Sequence, residues 1–139
     1  MIGIFRHAKA ESEPNEMDRP LTPEGIETAK KTALDLSIQW DAVLTSPAVR
    51  AEQTGMIMGE MPPLQITELY CNSEPSKRTI DHLMKVLKPY LEEYSHVLII
   101  THQPLIVPLV RAFGHDEPSL ASLSSGRGVL IEKEGIRKA

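Results

Sequence analysis

The feature that most constrains the fold of this chain is a regular alternation of short apolar runs with segments of helical periodicity. The apolar runs have the length of β-strands and cover residues 2–5, 42–45, 64–67, 97–101 and 128–133. Between them, apolar residues recur every three or four positions, which is typical of helices with one buried face. Strands that alternate with helices favour a mostly parallel sheet with helices on both faces. The sequence therefore predicts an α/β three-layer sandwich.

Capping residues and prolines mark the expected starts of the helices. A Thr-Pro pair at 22–23 and a Ser-Pro pair at 46–47 each place a side-chain acceptor before a residue that lacks an N–H. We therefore expect one helix after each pair, the second ending near Gly59. A third helix should be capped by Ser76, and a fourth should begin near Pro104.

Two positions should disturb this regular pattern. Pro89 lies inside the third helical segment, where its missing N–H predicts a kink or a break. The final strand, at residues 128–133, is expected at an edge of the sheet.

Length, charge and cysteine content limit the classes of protein to which this chain can belong. The 139 residues are close to the size of one domain, so we expect a single domain spanning residues 1–139. A net charge of −4 offers no general attraction for nucleic acid or an anionic membrane, and we expect neither as a partner. The N-terminus lacks the pattern of a secretory signal, and Cys71 is the only cysteine. These features predict a cytoplasmic protein.

Charged and aromatic polar side chains follow three of the predicted strands. The first strand ends in Arg6-His7, and the run at 97–101 is followed by His102. Arg50 lies in the first turn of the helix expected after Ser46, on the same helix face as that serine. Ligands of open α/β sheets bind beyond the carboxyl ends of the strands. If these strands are parallel neighbours, the two arginines and two histidines should meet at one edge.

The residue types of this cluster predict an anion site. Guanidinium groups bind phosphate through paired hydrogen bonds, and a helix N-terminus adds free N–H groups. Phosphate is therefore the expected ligand. A zinc site is the rival use of His7 and His102, but the spacing H-x-x-x-H is absent and two arginines would repel a cation. No metal site is predicted.

Four segments together resemble the histidine phosphatase superfamily, which includes the phosphoglycerate mutases. Arg6-His7-Ala8 after a strand is similar to its R-H-G signature, and residues 18–25 resemble the stretch that opens its first helix. Residues 46–54 are similar to its S-P-x-x-R-x-x-x-T segment, and residues 100–102 to the strand that carries its second histidine. The motifs occur in the family's order between residues 2 and about 113. The short chain and its Arg-His-Ala-Lys-Ala start look most like the SixA-type phosphohistidine phosphatases.

The resemblance implies a role for each clustered residue. His7 would be the nucleophile that becomes phosphorylated, and Arg6, Arg50 and His102 would complete the phosphate pocket. The resemblance implies no metal and no other cofactor, because the arginines supply the positive charge. Ser125 in the late loop would offer a backbone donor to phosphate.

The sequence departs from the family pattern beside both histidines. Ala8 stands where glycine is usual, which narrows the backbone approach beside His7. The pair Gln103-Pro104 follows His102, where many members have glycine. Neither departure removes a charged group.

The sequence leaves the identity of the general acid open. Cleavage of a phosphomonoester needs a proton donor for its alkoxide leaving group. Glu68 follows the third predicted strand and could reach the same edge of the sheet, but it could equally be a solvated residue. The acidic residues of the first loop are more distant candidates for the acid, and most of them are interpreted as surface charge; they are Glu11, Glu13, Glu16 and Asp18.

The resulting functional hypothesis is a metal-independent phosphatase that forms a phosphohistidine intermediate and acts on phosphohistidine in a protein. One alternative is a phosphatase of the same superfamily that acts on a small phosphorylated metabolite. Another is a phosphate-binding module without catalysis, although binding alone does not need a nucleophilic imidazole.

Overall fold

The computed structural model describes residues 1–139 and contains one six-stranded β-sheet. The strands are β1 (Ile2–Arg6), β2 (Ala42–Thr45), β3 (Leu64–Gln65), β4 (Val97–Thr101), β5 (Gly128–Glu132) and β6 (Gly135–Lys138). They lie in the order β3-β2-β4-β1-β5-β6. The first four of this order pair in parallel, whereas β5 runs antiparallel to β1, and β6 antiparallel to β5. The predicted mostly parallel sheet is confirmed.

Four α-helices cover the two faces of the sheet. They are α1 (Pro23–Leu36), α2 (Val49–Gly59), α3 (Lys77–Glu93) and α4 (Gln103–Ala112). α1 and α2 pack together on one face, while α3 and α4 pack together on the other. The three-layer sandwich is therefore as predicted. None of the helices combines the length and the apolar character needed to cross a membrane.

Side chains of the central strands alternate between two hydrophobic cores. In β1, Ile4 belongs to the core beneath α3 and α4, whereas Phe5 belongs to the core beneath α1 and α2. In β4, Ile99 and Ile100 divide in the same way. Because both faces of these strands are buried, their sequences read as continuous apolar runs rather than as an alternating pattern.

The third strand and the second helix differ from their predicted bounds. β3 has only two residues, because the chain turns at once into a 3-10 turn at Thr67–Leu69. α2 begins at Val49, and Ala48 stands at its N-cap without a side-chain hydrogen bond. The prediction that Ser46 caps this helix is wrong, because its hydroxyl is hydrogen-bonded to His102.

The C-terminal half contains two further corrections. α3 continues past Pro89 without a break, because this proline lies on the exposed side, where the carbonyl that it leaves unpaired can bond to water. β5 is not an edge strand, since β6 pairs with it along its outer side. β6 was missed because Gly135–Lys138 is short and mostly polar, with Gly135 at φ 131° ending the turn before it.

Candidate active site

The order of the strands brings the predicted side chains to one edge of the sheet. β1, β4 and β2 are parallel neighbours, so their carboxyl ends lie side by side. Arg6 and His7 end the first of these strands, His102 follows the second, and Arg50 lies in the first turn of the helix after the third. The rings of His7 and His102 lie with their centroids 5.2 Å apart.

The ring of His7 is held in one tautomer by its two hydrogen bonds. Its Nδ1 lies 2.8 Å from the carbonyl oxygen of Ala8, and its Nε2 accepts the Nε–H of Arg50 at 3.2 Å. Because a guanidinium only donates, Nε2 carries the lone pair and Nδ1 carries the proton. The pKa of His7 is lowered to about 4, chiefly by burial and also by the charges of Arg50, Arg6 and Arg19, while the hydrogen bond to Ala8 opposes the shift. A neutral imidazole with an unprotonated Nε2 is the state that a nucleophile requires.

Arg50 is the central group of the site, and its side chain is 4% exposed. Besides the bond to His7, its Nη2 lies 3.4 Å from Nδ1 of His102. Its remaining contacts are to Glu16: Nη1 donates to the backbone carbonyl at 2.8 Å, and Nη2 to Oε1 at 3.1 Å. Burial lowers the pKa of Arg50, while the charge of Glu16 opposes this shift. The guanidinium thus faces both histidines and one carboxylate.

His102 is oriented from behind by Ser46. Its Nε2 lies 2.7 Å from the hydroxyl oxygen of Ser46, and this oxygen also accepts the N–H of Ala48 at 3.3 Å. With Nδ1 accepting from Arg50, the ring proton stands on Nε2 and is donated to the serine. The pKa of His102 is lowered to about 3, chiefly by burial and also by His7, Arg50 and Arg6. Ser46 therefore leaves Nδ1 as the atom that faces the site.

Arg6 is anchored to the segment that precedes β5. Its Nη1 donates to the carbonyl oxygen of Leu123 at 2.6 Å, whereas its buried Nε has no partner. Gln103 holds the same segment, because its amide accepts the N–H of Leu123 and donates to the carbonyl of Leu120. The departure from glycine at residue 103 thus supplies a side chain that positions the backbone around Arg6.

The late loop lies directly against the end of β1. The N–H of Gly126 is shared between the carbonyl oxygens of Arg6 and His7, at 3.2 and 3.1 Å. Gly126 has φ 77°, and a Cβ on it would meet Thr28 at 3.0 Å, so both conformation and space favour glycine. Ser125, the predicted backbone donor, precedes this glycine, and its N–H makes no hydrogen bond within the protein.

Thr54 connects the backbone beside His7 to the helix that carries Arg50. Its hydroxyl accepts the N–H of Ala8 at 3.0 Å and donates to the carbonyl oxygen of Arg50 at 2.8 Å. The side chain of Ala8 is fully buried in the core beneath α1 and α2. The alanine that replaces the usual glycine is therefore accommodated by packing.

Two residues reach the site that the strand ends did not predict. Glu16, one of the more distant candidates for the acid, lies in a 3-10 turn and contacts Arg50. Tyr70 packs its ring edge-on against His102, with centroids 5.1 Å apart, and its hydroxyl lies 3.4 Å from Oε2 of Glu16. Neither residue follows a strand directly, so the rule that located the other residues gave no signal for them.

Glu68, the candidate acid, does not join the cluster. It lies within the 3-10 turn after β3, and its carboxylate contacts His82 at 3.2 Å. The expectation that Glu68 reaches the edge with the histidines depended on a strand running up to it. Because β3 ends at Gln65, the turn redirects Glu68 toward α3 and brings Tyr70 to His102 instead.

The arrangement combines a neutral nucleophile with fixed positive charge. His7 presents a lone pair beside Arg50, and Arg6 and Arg50 supply guanidinium groups on the same edge of the sheet. No group of three or more His, Cys, Asp or Glu is placed to hold a metal ion. Such a site can accept a phosphoryl group, because guanidinium donors match the charge of the transferred oxygens.

Comparison with solved structures identifies several with the same fold. The protein histidine phosphatase SixA complexed with tungstate is 23% identical, with a TM-score of 0.73 over 99% of this chain and 93% of that chain. The SixA protein from Agrobacterium tumefaciens is 20% identical, with a TM-score of 0.75 and the same coverage of both chains. The alpha-ribazole phosphatase from Shigella flexneri is 18% identical, with a TM-score of 0.69 over 99% of this chain and 94% of that chain. No curated protein matches this chain.

A family model also matches the sequence itself. The model describes the histidine phosphatase superfamily (branch 1), and it matches residues 2–71, half of the chain. This segment includes His7 and Arg50, so it spans two of the three strand ends that form the site. The match in sequence and the shared fold lead to one conclusion: the chain belongs to branch 1 of the histidine phosphatase superfamily and is a phosphatase.

Proposed function

We propose that this phosphatase acts through a phosphohistidine intermediate on His7, without a metal ion, and that its substrate is phosphohistidine in a protein. The observation that carries the proposal is the tautomer of His7. Its Nδ1–H is bound to the Ala8 carbonyl, and its Nε2 lone pair lies 3.2 Å from Arg50 Nε. Arg6 and Arg50 provide the positive charge that a metal ion supplies in other phosphatases.

The first half-reaction transfers the phosphoryl group to the enzyme. Nε2 of His7 attacks phosphorus in line, a P–N bond forms, and the bond to the leaving group breaks with its electron pair. The ring becomes positively charged, and the Nδ1–H that remains is donated more strongly to the Ala8 carbonyl. Arg6 and Arg50 donate to the oxygens of the phosphoryl group, and the Ser125 N–H adds a further donor. His102 accepts from Arg50 through Nδ1 and thereby holds the guanidinium in position.

The second half-reaction returns His7 to its starting state. A water molecule attacks phosphorus from the side that the leaving group has vacated, and the P–N bond to Nε2 breaks. The electron pair returns to Nε2, so the imidazole is again neutral. Inorganic phosphate leaves with the oxygen of the water, and the water proton passes to solvent or to the phosphate.

The preference for phosphohistidine follows from the absence of a proton donor. Glu68 is bound to His82, and Glu16 is ion-paired with Arg50. An alkoxide leaving group needs a nearby acid, whereas the imidazole of a phosphohistidine can take a proton from water at its distal nitrogen and leave as a neutral ring. A site that lacks an acid is therefore better suited to a P–N bond than to a P–O bond.

Hydrolysis of a small phosphate ester is the second candidate. The similar fold of the alpha-ribazole phosphatase favours it, because the same architecture serves a small-molecule phosphatase there. Glu16 favours it as well, since its carboxylate lies at the site and its side chain is 50% exposed. If Glu16 exchanges its ion pair for a proton, it becomes an acid for an alkoxide.

The test compares two substrates and three proteins. Phosphate release is measured from a histidine-phosphorylated phosphotransfer protein and from p-nitrophenyl phosphate, with wild type, His7→Ala and His82→Ala. His82 is exposed and lies outside the site, so His82→Ala controls for the loss of an imidazole. We expect faster release from the protein substrate, loss of activity only in His7→Ala, and an acid-labile phosphoenzyme trapped only when His7 is present.

Three other results of this test would each support a different interpretation. A higher kcat/KM on p-nitrophenyl phosphate than on the protein would move the search to small metabolites. Phosphate release that survives in His7→Ala would refute the intermediate. Phosphate binding without His7-dependent release from either substrate would indicate a binding module.

A further inference from the structure

The carboxylate of Glu16 is hydrogen-bonded to the guanidinium of Arg50, the group that a phosphoryl group has to bind. Its Oε1 accepts from Arg50 Nη2 at 3.1 Å, and its backbone carbonyl accepts from Nη1 at 2.8 Å. The same carboxylate lies 3.4 Å from the hydroxyl of Tyr70 and 3.5 Å from a guanidinium nitrogen of Arg19. Glu16 thus contacts three donor side chains at the mouth of the site: Arg50, Tyr70 and Arg19.

The position of the carboxylate on Arg50 is the one that a phosphate would take. Nε and Nη2 form one edge of a guanidinium, and paired hydrogen bonds to an oxyanion use such an edge. In this structure Nε donates to the nucleophilic nitrogen of His7, and Nη2 donates to Glu16. A phosphoryl group beside His7 must therefore replace the Oε1 of Glu16 on Nη2.

Burial distinguishes the two partners of this ion pair. The side chain of Arg50 is 4% exposed and is held by contacts to both histidines, whereas the side chain of Glu16 is 50% exposed. The loop that carries Glu16 is tied at its base by pairing between Ala10 and Leu21. When the pair separates, Arg50 stays in place and the carboxylate has water to move into.

We propose that Glu16 is a specificity-determining residue that competes with phosphate for Arg50 and thereby selects phosphorylated proteins over small phosphate anions. A small anion must displace the carboxylate through its phosphate contacts alone. A protein substrate also reaches the exposed surface of the loop that carries Glu16, residues 8–21, and can donate hydrogen bonds to the displaced carboxylate, which offsets the cost of displacing it. The proposal rests on the proposed function, since it assigns the same site a macromolecular substrate.

The test removes the charge of Glu16 and keeps its shape. In Glu16→Gln, we expect the Kd of inorganic phosphate, measured by titration calorimetry, and the KM of p-nitrophenyl phosphate to fall about twofold to fivefold, the range for loss of one partly exposed charged contact. The KM of the histidine-phosphorylated protein should change by less than about twofold. The matched control is Glu13→Gln, because Glu13 is an exposed residue of the same loop that forms no hydrogen bond or ion pair.

Three results would overturn the proposal. An unchanged Kd of phosphate would show that the carboxylate does not compete with it. Equal tightening of protein and small ester would remove the role in selection. A large loss of kcat on p-nitrophenyl phosphate with unchanged KM would make Glu16 a proton donor. The calorimetric measurement does not depend on the natural substrate, so it tests competition even if the protein substrate is not cleaved.

Discussion

Ser46→Ala is the substitution that most directly tests how the site is assembled. Ser46 is fully buried, and its hydroxyl oxygen accepts the Nε2–H of His102 at 2.7 Å and the N–H of Ala48 at 3.3 Å. Alanine leaves both donors without this acceptor. The ring of His102 can then move its proton to Nδ1, where it faces the Arg50 guanidinium and no longer accepts from it.

The magnitude follows from the cost of an unpaired buried donor. One such group costs about 1–3 kcal/mol. If the reaction requires the His102 tautomer with its proton on Nε2, that tautomer becomes less stable by this amount. kcat/KM then decreases between about fivefold and about 150-fold, because each 1.36 kcal/mol corresponds to a factor of ten. The same loss should appear with a protein substrate and with p-nitrophenyl phosphate, since Ser46 acts through His102 and touches neither leaving group.

The assay combines kinetics with a direct reading of the tautomer. kcat/KM is measured for wild type, Ser46→Ala and Ser76→Ala, together with thermal unfolding and the imidazole ¹⁵N chemical shifts of His102. Ser76 caps α3 by accepting the N–H of Thr79, so Ser76→Ala lowers stability by about 1 kcal/mol while leaving the site intact. Only Ser46→Ala should lower kcat/KM and shift the nitrogen resonances.

The reasoning would be refuted by a Ser46→Ala protein that loses stability but keeps kcat/KM within about twofold of wild type and unchanged ¹⁵N shifts. Ser46 would then contribute to packing and to the turn before α2, and it would not orient His102.

Four further predictions concern the pH dependence of catalysis, the pH dependence of stability, the former candidate acid and the packing of the first helix. Because His7 must be neutral to attack and its pKa is lowered to about 4, kcat/KM should stay level from about pH 8 to about pH 5 and fall through about pH 4 in a pH–rate profile. The pKa of His102 is lowered from 6.5 to about 3 by folding, so the unfolded chain binds a proton at a higher pH than the folded protein does. The free energy of unfolding, measured in urea, should therefore be highest above about pH 6.5 and should decrease by a few kcal/mol toward about pH 4. Glu68→Gln should leave kcat/KM on both substrates within about threefold, and a loss of a hundredfold on p-nitrophenyl phosphate alone would restore Glu68 as the acid. Gly25→Ala should destabilise the fold by about 1–3 kcal/mol in urea unfolding despite the better helix propensity of alanine, because its Cβ would clash with the backbone carbonyl oxygen of Lys9. An unchanged or higher midpoint would contradict this.

Most of the fold could be predicted because the two-sided burial of its central strands is recorded in the sequence. β4 is buried at every residue, and its apolar run has the bounds that the structure shows. The start of α1 was equally clear, since Thr22 caps it and Pro23 is its first residue. The incorrect predictions lie where packing overrides local preference. Ser46 is an example, because its hydroxyl bonds to His102, 56 residues away, instead of capping a helix.

The candidate site divides in the same way. His7, Arg50 and His102 could be found from sequence, because each follows or nearly follows a strand and parallel neighbouring strands place their carboxyl ends together. Tyr70 could not be found, and Glu16 could not be singled out among the four acidic residues of its loop. Each reaches the site from a 3-10 turn or the residue after it, and the direction of such a turn depends on what it packs against.

The sequence by itself therefore determined the layers, the parallel strands and the positions of the candidate nucleophile and its cationic neighbours, since hydrophobic periodicity and strand ends are local properties. The tertiary structure decided which nitrogen of each histidine is free, because hydrogen bonds from Arg50 and to Ser46 select the tautomers. It also decided that Glu16 and not Glu68 reaches Arg50. These outcomes depend on distances between residues far apart in the chain, and only the packed fold sets such distances.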